Sequence, residues 1–419
     1  MASHFNNQNN TEEPRNDVPA TRFATDDVRT FSDDDAQPLP DAAVGSFGGG
    51  ATHMKSAYDQ HQHVDADAMR KKSGVRASRV ALGIIAAFLV VVVAGIAFYV
   101  HMLNEQLAFK DKKAGVELKE ALASADDTDE SNAFYVLLVG SDSRGGLNEK
   151  GRGDVTMLAR VAPSNGEVTL VSIPRDTMVN IEHYGTVKIN AAYAYGGASL
   201  AVKTVSAFAG VPISHYAEID FDGLTEVVDE LGGVTVNIPE AFSARGFSFD
   251  AGEQTLNGEQ ALVYARERHS FSGGDFTRAQ SQRQVVEAII HKVMAQPATE
   301  YPKLFSQLAQ SVSTDYSVPD LVSLAMAFQG KDPTVYSAIC PSYAHNVDGV
   351  SYVATMYREW QDMMRRVDAG LDPDDVNATI PEKQAGNADL GSASNGAGPR
   401  DYEALAADSL NTGDVNTAS

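Results

Sequence analysis

The stretch FYVLLVGSDSR, Phe134 to Arg144, is a continuous apolar run that ends in glycine and then turns abruptly polar. A strand with one wet face alternates apolar and polar residues, whereas a strand covered on both faces does not. The run therefore predicts an inner strand of a sheet with layers on either side. Moving outward, VTMLARVA, EVTLVSIPRD, HYAEID, VTVNIP and TVYSAIC read as further strands. ASLAVKTVSAFAG reads as a helix closed by Gly210. FDGLTEVVDELGG reads as a helix with Asp222 near its start, and NGEQALVYARER as a helix leading into an extended piece. Further helices are expected around Gln280–Met294, Tyr301–Gln310, Val318–Gln329 and Val353–Asp368. Strands alternating with helices predict the α/β class, as a layered α-β-α fold with a central mixed sheet.

The 419 residues fall into three compositional regimes. Residues 1–78 are polar and poor in aliphatics, which predicts a disordered cytoplasmic segment. VALGIIAAFLVVVVAGIAFYV, Val80 to Val100, carries no charge and has the roughly 20 residues that cross a bilayer core as a helix. A single transmembrane helix is expected over 80–101. Arg70, Lys71, Lys72, Arg76 and Arg79 precede the span, whereas Lys110, Lys112 and Lys113 come later and mixed with acids. The denser cluster belongs inside, so the N-terminus is expected in the cytoplasm and the bulk of the chain outside. Residues 102–131 are charged and Ala-rich, a helical stalk; 132–371 form the folded domain; 372–419, rich in Ala, Gly, Asn, Asp and Ser, read as a disordered acidic tail.

The formal net charge is −23, and the cytoplasmic segment and tail supply much of it. The total therefore says little about the folded domain. The expected cytoplasmic segment has no helix-turn-helix or basic face that would mark a nucleic-acid partner. The single cysteine, Cys340, excludes an intrachain disulfide and reads as a small buried residue at a strand end.

Polar residues gather at the ends of the expected strands. Asp142 and Arg144 follow the first strand, Arg152 and Asp154 precede the next, Arg175 and Asp176 end another, and Lys188 and Asn190 follow. Sites in open α/β sheets form at the carboxyl ends of strands. Two acids on separate loops with cations nearby suggest a metal-bound polyanion, with carboxylates on Mg²⁺ and arginines on phosphate oxygens. YARERHSFSGGDFTRAQSQRQ adds four arginines around Asp275 in an otherwise acidic chain. An extended Arg266–Arg268 segment puts both guanidinium groups on one face. Arg278 and Gln282 share a face of a helix, and Asp275 is placed as its N-cap. Each pattern alone also fits a solvated surface. Together they point to an extracytoplasmic domain that handles phosphate.

The ordered set YVLLVGSDSR, RGDVTMLARV, VSIPRDT, KINAAYAYGG, IDFDGLTEVVDELGGVTVNIP, LNGEQALVYARER and DFTRAQSQRQ resembles the LytR–CpsA–Psr family over roughly residues 132–295. The resemblance implies an α/β sandwich with a groove for a lipid chain. It implies an enzyme that takes a glycopolymer from a polyprenyl diphosphate carrier and joins it to peptidoglycan as a phosphodiester. It implies Asp142 and Asp154 as ligands of Mg²⁺ (or Mn²⁺), with Arg152, Arg175, Lys188, Arg266, Arg268, Arg278 and Gln282 on the diphosphate and Asp275 supporting them. Asp176 or a metal-bound aspartate would serve as base. The implied partners are the lipid-linked glycopolymer, peptidoglycan and the membrane, with no nucleic acid. Teichoic acid, capsule and arabinogalactan-like polymers all present the same diphosphate handle.

Two positions depart from the family pattern DFGRxxRQ: Thr277 replaces the glycine and Ser281 the second arginine. Arg283 lies about 200° further round a helix and is not expected to substitute from the same face. Two other activities fit the same residues: a non-catalytic binder of polyprenyl phosphates acting as an envelope regulator, and a polyprenyl pyrophosphatase.

Overall fold

The computed structural model describes residues 90–95, 97–98, 100–102, 104–105, 112–123, 133–141, 153–271, 274–309 and 311–398, with backbone alone at Lys112, Gly274 and Asp275. The expected cytoplasmic segment, Asp142, Arg144, Arg152 and residues beyond 398 lie outside that set. Among the described residues no helix is long and apolar enough to cross a membrane, and residues 80–89, 96 and 99 of the expected span lie outside them.

Fourteen strands are present among the described residues: β1 Phe134–Ser141, β2 Gly153–Ala162, β3 Glu167–Ser172, β4 Met178–Ile181, β5 Gly185–Lys188, β6 His215–Asp220, β7 Val234–Ile238, β8 Phe242–Ala244, β9 Phe247–Phe249, β10 Gly252–Leu256, β11 Val312–Thr314, β12 Thr334–Ile339, β13 Ser342–Val347 and β14 Val350–Thr355. The helices are α1 Lys112–Ala121, α2 Ala191–Ala209, α3 Phe221–Glu230, α4 Gly258–Arg266, α5 Gly274–Met294, α6 Tyr301–Leu308, α7 Val318–Phe328, α8 Tyr357–Asp368 and α9 Glu382–Ala385. The central sheet has six strands in the order β11-β6-β1-β2-β3-β12. β1 pairs antiparallel with β2 and parallel with β6, and β3 pairs antiparallel with β2 and parallel with β12. The sheet is therefore mixed, and β1, β3, β6 and β12 all end at one edge.

β1 sits inside the sheet and is covered on both faces, as its unbroken apolar run predicts. Tyr135, Leu137 and Val139 pack with Leu118 of α1, with α2 and with Trp360, Met363 and Met364 of α8. Phe134 and Val136 face the other layer, where Val286 and Ile290 of α5 and Leu324 and Phe328 of α7 close over them. The apolar faces of α2 and α3 are used in these cores: Val202, Val205, Phe208, Val227 and Val228 are all buried.

Three expectations are corrected. The helix over 112–121 is not a free stalk: Leu118 is buried in the core and the Ala123 amide donates to Ile213 O at 2.9 Å. The helix expected from Val353 begins at Tyr357, because residues 350–355 form β14. The largest change is at the C-terminus, where residues 371–398 form a strap across the domain instead of an idle tail. A helix leaves its last carbonyls without intrahelical partners, and the strap supplies donors to those of α2. Gly391 N donates to Ala209 O at 2.7 Å, Ala393 N to Phe208 O at 3.1 Å and Ser394 N to Ala207 O at 3.2 Å. Leu390 and Ala393 enter the core. At the other side Asn180 N donates to Asn395 O and Ala397 N to Met178 O. Gly210 permits the approach: a Cβ there would stand 1.6 Å from Asp389 O. The strap has little apolar content because backbone groups do most of the holding.

Candidate active site

The site begins with a turn. After β3 the chain reaches Pro174, and Thr177 donates both its amide (3.0 Å) and its hydroxyl (2.6 Å) to Pro174 O. Arg175 and Asp176 occupy the middle of that turn. The neighbouring backbone fixes them: Asn190 N donates to Arg175 O, Ile189 N to Thr177 O and Val353 N to Asp176 O. Two basic groups meet two acids here. Arg175 Nη1 lies 2.9 Å from Asp154 Oδ1, and Lys188 Nζ lies 3.1 Å from Asp176 Oδ1.

Two cavities meet at Arg175 and Asp176. The first, about 40 Å³, is lined by Asp154, Arg175, Asp176, Arg278 and Gln282 at its polar end and by Val155, Ile173, Phe276, Ile339 and Val353 elsewhere. The second, about 480 Å³, is lined by Arg175, Asp176, Lys188, Asn190, Tyr195, Val350 and Tyr352 among others. Arg175, Lys188 and Arg278 outnumber Asp154 and Asp176 by one positive charge across the pair of cavities. An acidic chain thus carries a locally cationic cleft at the carboxyl edge of its sheet. Fixed cations in a partly desolvated cleft stabilise a polyanion more than the same cations in open water.

The sequence-selected residues converge in part. Asp154, Arg175, Asp176, Arg278 and Gln282 surround one cavity and Lys188 the next, so α5 does present Arg278 and Gln282 together. Arg266 lines neither cavity; its guanidinium carbon sits 4.3 Å from the centroid of the Phe221 ring, a cation–π contact. The 266–268 segment is not one extended piece either. Arg266 is the last residue of α4, and Glu267 beyond it is extended. Gln282 ties the two regions together, donating from Nε2 to Ala265 O at 3.2 Å. The Glu267 carboxylate, a role the sequence does not signal, accepts from the amides of Arg268, His269 and Ser270. Burial raises its pKa, but those amides outweigh burial and hold it below the usual carboxylate range. Asp275 falls within the first turn of α5 rather than ahead of it.

The family departures have a structural setting. Ser281 is buried against Tyr264. Arg283 points away from the cavity, buried, with Nε donating to Ser337 Oγ at 2.9 Å. Desolvation lowers its pKa to about 10, partly offset by Asp374 of the strap and by Glu287. It therefore does not replace the missing arginine. Cys340 is fully buried at the end of β12, where desolvation pushes its thiol pKa well up, so it is no nucleophile.

Sequence reasoning missed Phe276, Tyr195, Val350, Tyr352 and Val353 as site residues. For the last three a signal existed. NVDGVSYVAT carries an Asp-Gly pair between alternating residues, a hairpin signature, and Asp348 and Gly349 both have positive φ (51° and 80°).

A divalent cation would need oxygen donors here. Asp154 is a partly exposed carboxylate. Ser141, the last residue of β1, pairs with Gly153 at the start of β2, the strand that carries Asp154. Among the described residues no cluster of three acidic, His or Cys groups forms. One or two carboxylates with phosphate oxygens completing the shell suit Mg²⁺, so the donors present fit it.

A layered mixed sheet with a cationic, acid-flanked cleft at its carboxyl edge defines a phosphate-handling α/β domain. The chain belongs to the LytR_cpsA_psr family, whose model matches residues 97–368. It is 39% identical over 222 residues to the polyisoprenyl-teichoic acid–peptidoglycan teichoic acid transferase TagU of Enterococcus faecalis, covering 52% of this chain and 73% of that protein. It is 36% identical over 221 residues to the protein of the same name from Bacillus subtilis, covering 52% of this chain and 72% of that one. A crystal structure of a Streptococcus agalactiae protein superposes with a TM-score of 0.54 at 24% identity, covering 66% of this chain and 96% of its own, a likeness of fold.

Proposed function

We propose that the chain transfers a glycopolymer from a polyprenyl diphosphate carrier to peptidoglycan. The observation that carries this reading is the convergence of Arg175, Arg278, Gln282 and Asp154 on one cleft, in a chain whose TagU relatives bear the name of that transferase. A peptidoglycan hydroxyl oxygen attacks the phosphorus that bears the polymer. A new P–O bond forms, the P–O bond to the prenyl phosphate breaks, and polyprenyl phosphate leaves with the electron pair. The hydroxyl proton passes to a base, for which Asp176 at the junction of the two cavities and a metal-bound aspartate are the candidates.

Arg175 and Arg278 hold non-bridging oxygens and offset the charge that repels the nucleophile. Gln282 supplies a neutral donor and is positioned by its bond to Ala265. Lys188 keeps the Asp176 carboxylate directed at the cavity junction. Mg²⁺, held by Asp154 and Asp142, would add charge stabilisation on the diphosphate. Arg266, Arg268 and Arg152 would approach the donor from the rim. The carrier lipid stays in the bilayer, and a helix through residues 80–101 would tether the domain to it, raising the effective donor concentration. Val90, Val91, Val93 and Phe98 are exposed on helical segments there, as lipid-facing residues would be.

The test incubates the full chain in detergent micelles with lipid-linked donor, Mg²⁺ and peptidoglycan. Wall-linked polymer and polyprenyl phosphate should appear together, and Asp154→Asn should abolish both. Release of polyprenyl phosphate without linked polymer would instead indicate a pyrophosphatase. No turnover, with Asp154→Asn indistinguishable from wild type, would indicate a binding protein.

A further inference from the structure

The second cavity is not needed to hold a diphosphate, yet it is the roomier of the two and lies within the roughly 300–1,000 Å³ typical of ligand pockets. Exposed large apolar side chains are few among the described residues of the folded domain; two of them, Tyr195 and Val350, line this cavity, and a third, Tyr184, stacks on Tyr195. Tyr184 and Tyr195 stack on each other with ring centroids 4.4 Å apart and planes 13° apart, although both are about half exposed (48% and 47%). The backbone around them is built for that placement. Tyr184 rides the tip of the β4–β5 hairpin, next to His183 with φ 69°. Tyr195 immediately precedes a break in α2, where Gly196 and Gly197 leave helical geometry. Two exposed rings paired this way make a wide, stiff apolar platform, and such rings lose little rotamer freedom on binding.

Resting on the transferase reading, we infer that the Tyr184–Tyr195 platform and the second cavity form the subsite for the acceptor glycan, binding a pyranose ring of peptidoglycan. A pyranose offers an apolar C–H face for a tyrosine ring and a belt of hydroxyls for polar neighbours. Asn190, Lys188 and Asp176 stand in the same cavity to meet that belt. The geometry selects the acceptor rather than the carrier. In an in-line displacement the nucleophile enters opposite the leaving group. The first cleft brings Arg278 and Gln282 together with Val155, Phe276, Ile339 and Val353, which leaves it to the carrier phosphate; the second shares only Arg175 and Asp176 with it. A glycan on the tyrosine platform would extend a hydroxyl towards Asp176.

The experiment compares wild type, Tyr195→Ala, Tyr184→Ala and Tyr195→Phe as full chains in detergent micelles. Transfer is measured at varied peptidoglycan and at varied donor. In parallel, saturation transfer from the aromatic protons to the sugar protons of soluble peptidoglycan fragments is recorded. Loss of one stacking ring should raise the acceptor KM about 5- to 10-fold and weaken saturation transfer in the alanine variants. Donor KM should stay unchanged, and Tyr195→Phe, which keeps a ring, should restore most of the acceptor affinity that Tyr195→Ala loses. An unchanged acceptor KM, or a shift in donor KM instead, would overturn the inference. If wild type makes no linked product but still transfers saturation to the sugar through Tyr195, the glycan subsite stands and the transferase reading fails.

Discussion

Arg175 carries the heaviest duty of any side chain in the site. It borders both cavities, pairs with Asp154 and sits in a turn pinned by Thr177, Asn190 and Val353. Removing one preorganised donor to a developing charge costs roughly 10²–10³ in turnover, so Arg175→Ala should lose transfer by about that factor while circular dichroism stays unchanged. Arg175→Lys keeps the charge but loses the planar fork and should fall between. Glu267 offers a pH test. Its folded pKa lies below its ordinary value, so its contribution to the loop is complete above the ordinary carboxylate range and fades as pH falls through the folded value. Amide resonances of His269 and Ser270 should therefore hold steady down to mildly acidic pH and shift only below it, and in Glu267→Gln that inflection should vanish. Residue types at strand ends announced Asp154, Arg175, Asp176 and Lys188, and helical spacing announced Arg278 and Gln282. They could not announce Glu267, because a side chain that braces its own loop leaves no periodic trace.

At the scale of elements, the pattern of β1 was readable because burial on both faces imposes an unbroken apolar run. α5 was readable from its spacing. The β13–β14 hairpin is marked by Asp348-Gly349 but lies beside a helical pattern that masks it. The strap was not readable, since it is held largely by backbone donors filling the orphan carbonyls of α2, with Leu390 and Ala393 as its side chains in the core cluster. That origin makes it sensitive at Gly210. With φ 69° and Asp389 O where a Cβ would go, Gly210→Ala must displace the strap. The left-handed conformation alone costs roughly 1–2 kcal/mol for a residue with a Cβ, and lost capping bonds add to it. A fall of several degrees in Tm is expected, with residues 386–398 becoming protease-sensitive. An unchanged Tm would show the strap to be dispensable.

At the scale of the whole molecule, a net charge of −23 conceals a cleft with the opposite sign. Function follows the local arrangement, which is why composition excluded so little and motif order indicated so much. Residues 1–78, the expected cytoplasmic segment, carry none of the cleft residues. Deleting residues 1–70 should therefore leave wall attachment at its wild-type level, measured as polymer retained on purified walls; loss of attachment would favour a regulatory role for that segment. The central claim is that one cradle of cations and carboxylates holds the diphosphate of a lipid carrier. The direct measurement is a crystal structure with polyprenyl diphosphate bound. The account predicts phosphate density between Arg175, Arg278 and Gln282, beside Asp154. Density at a distant surface, with that cleft empty, would contradict it.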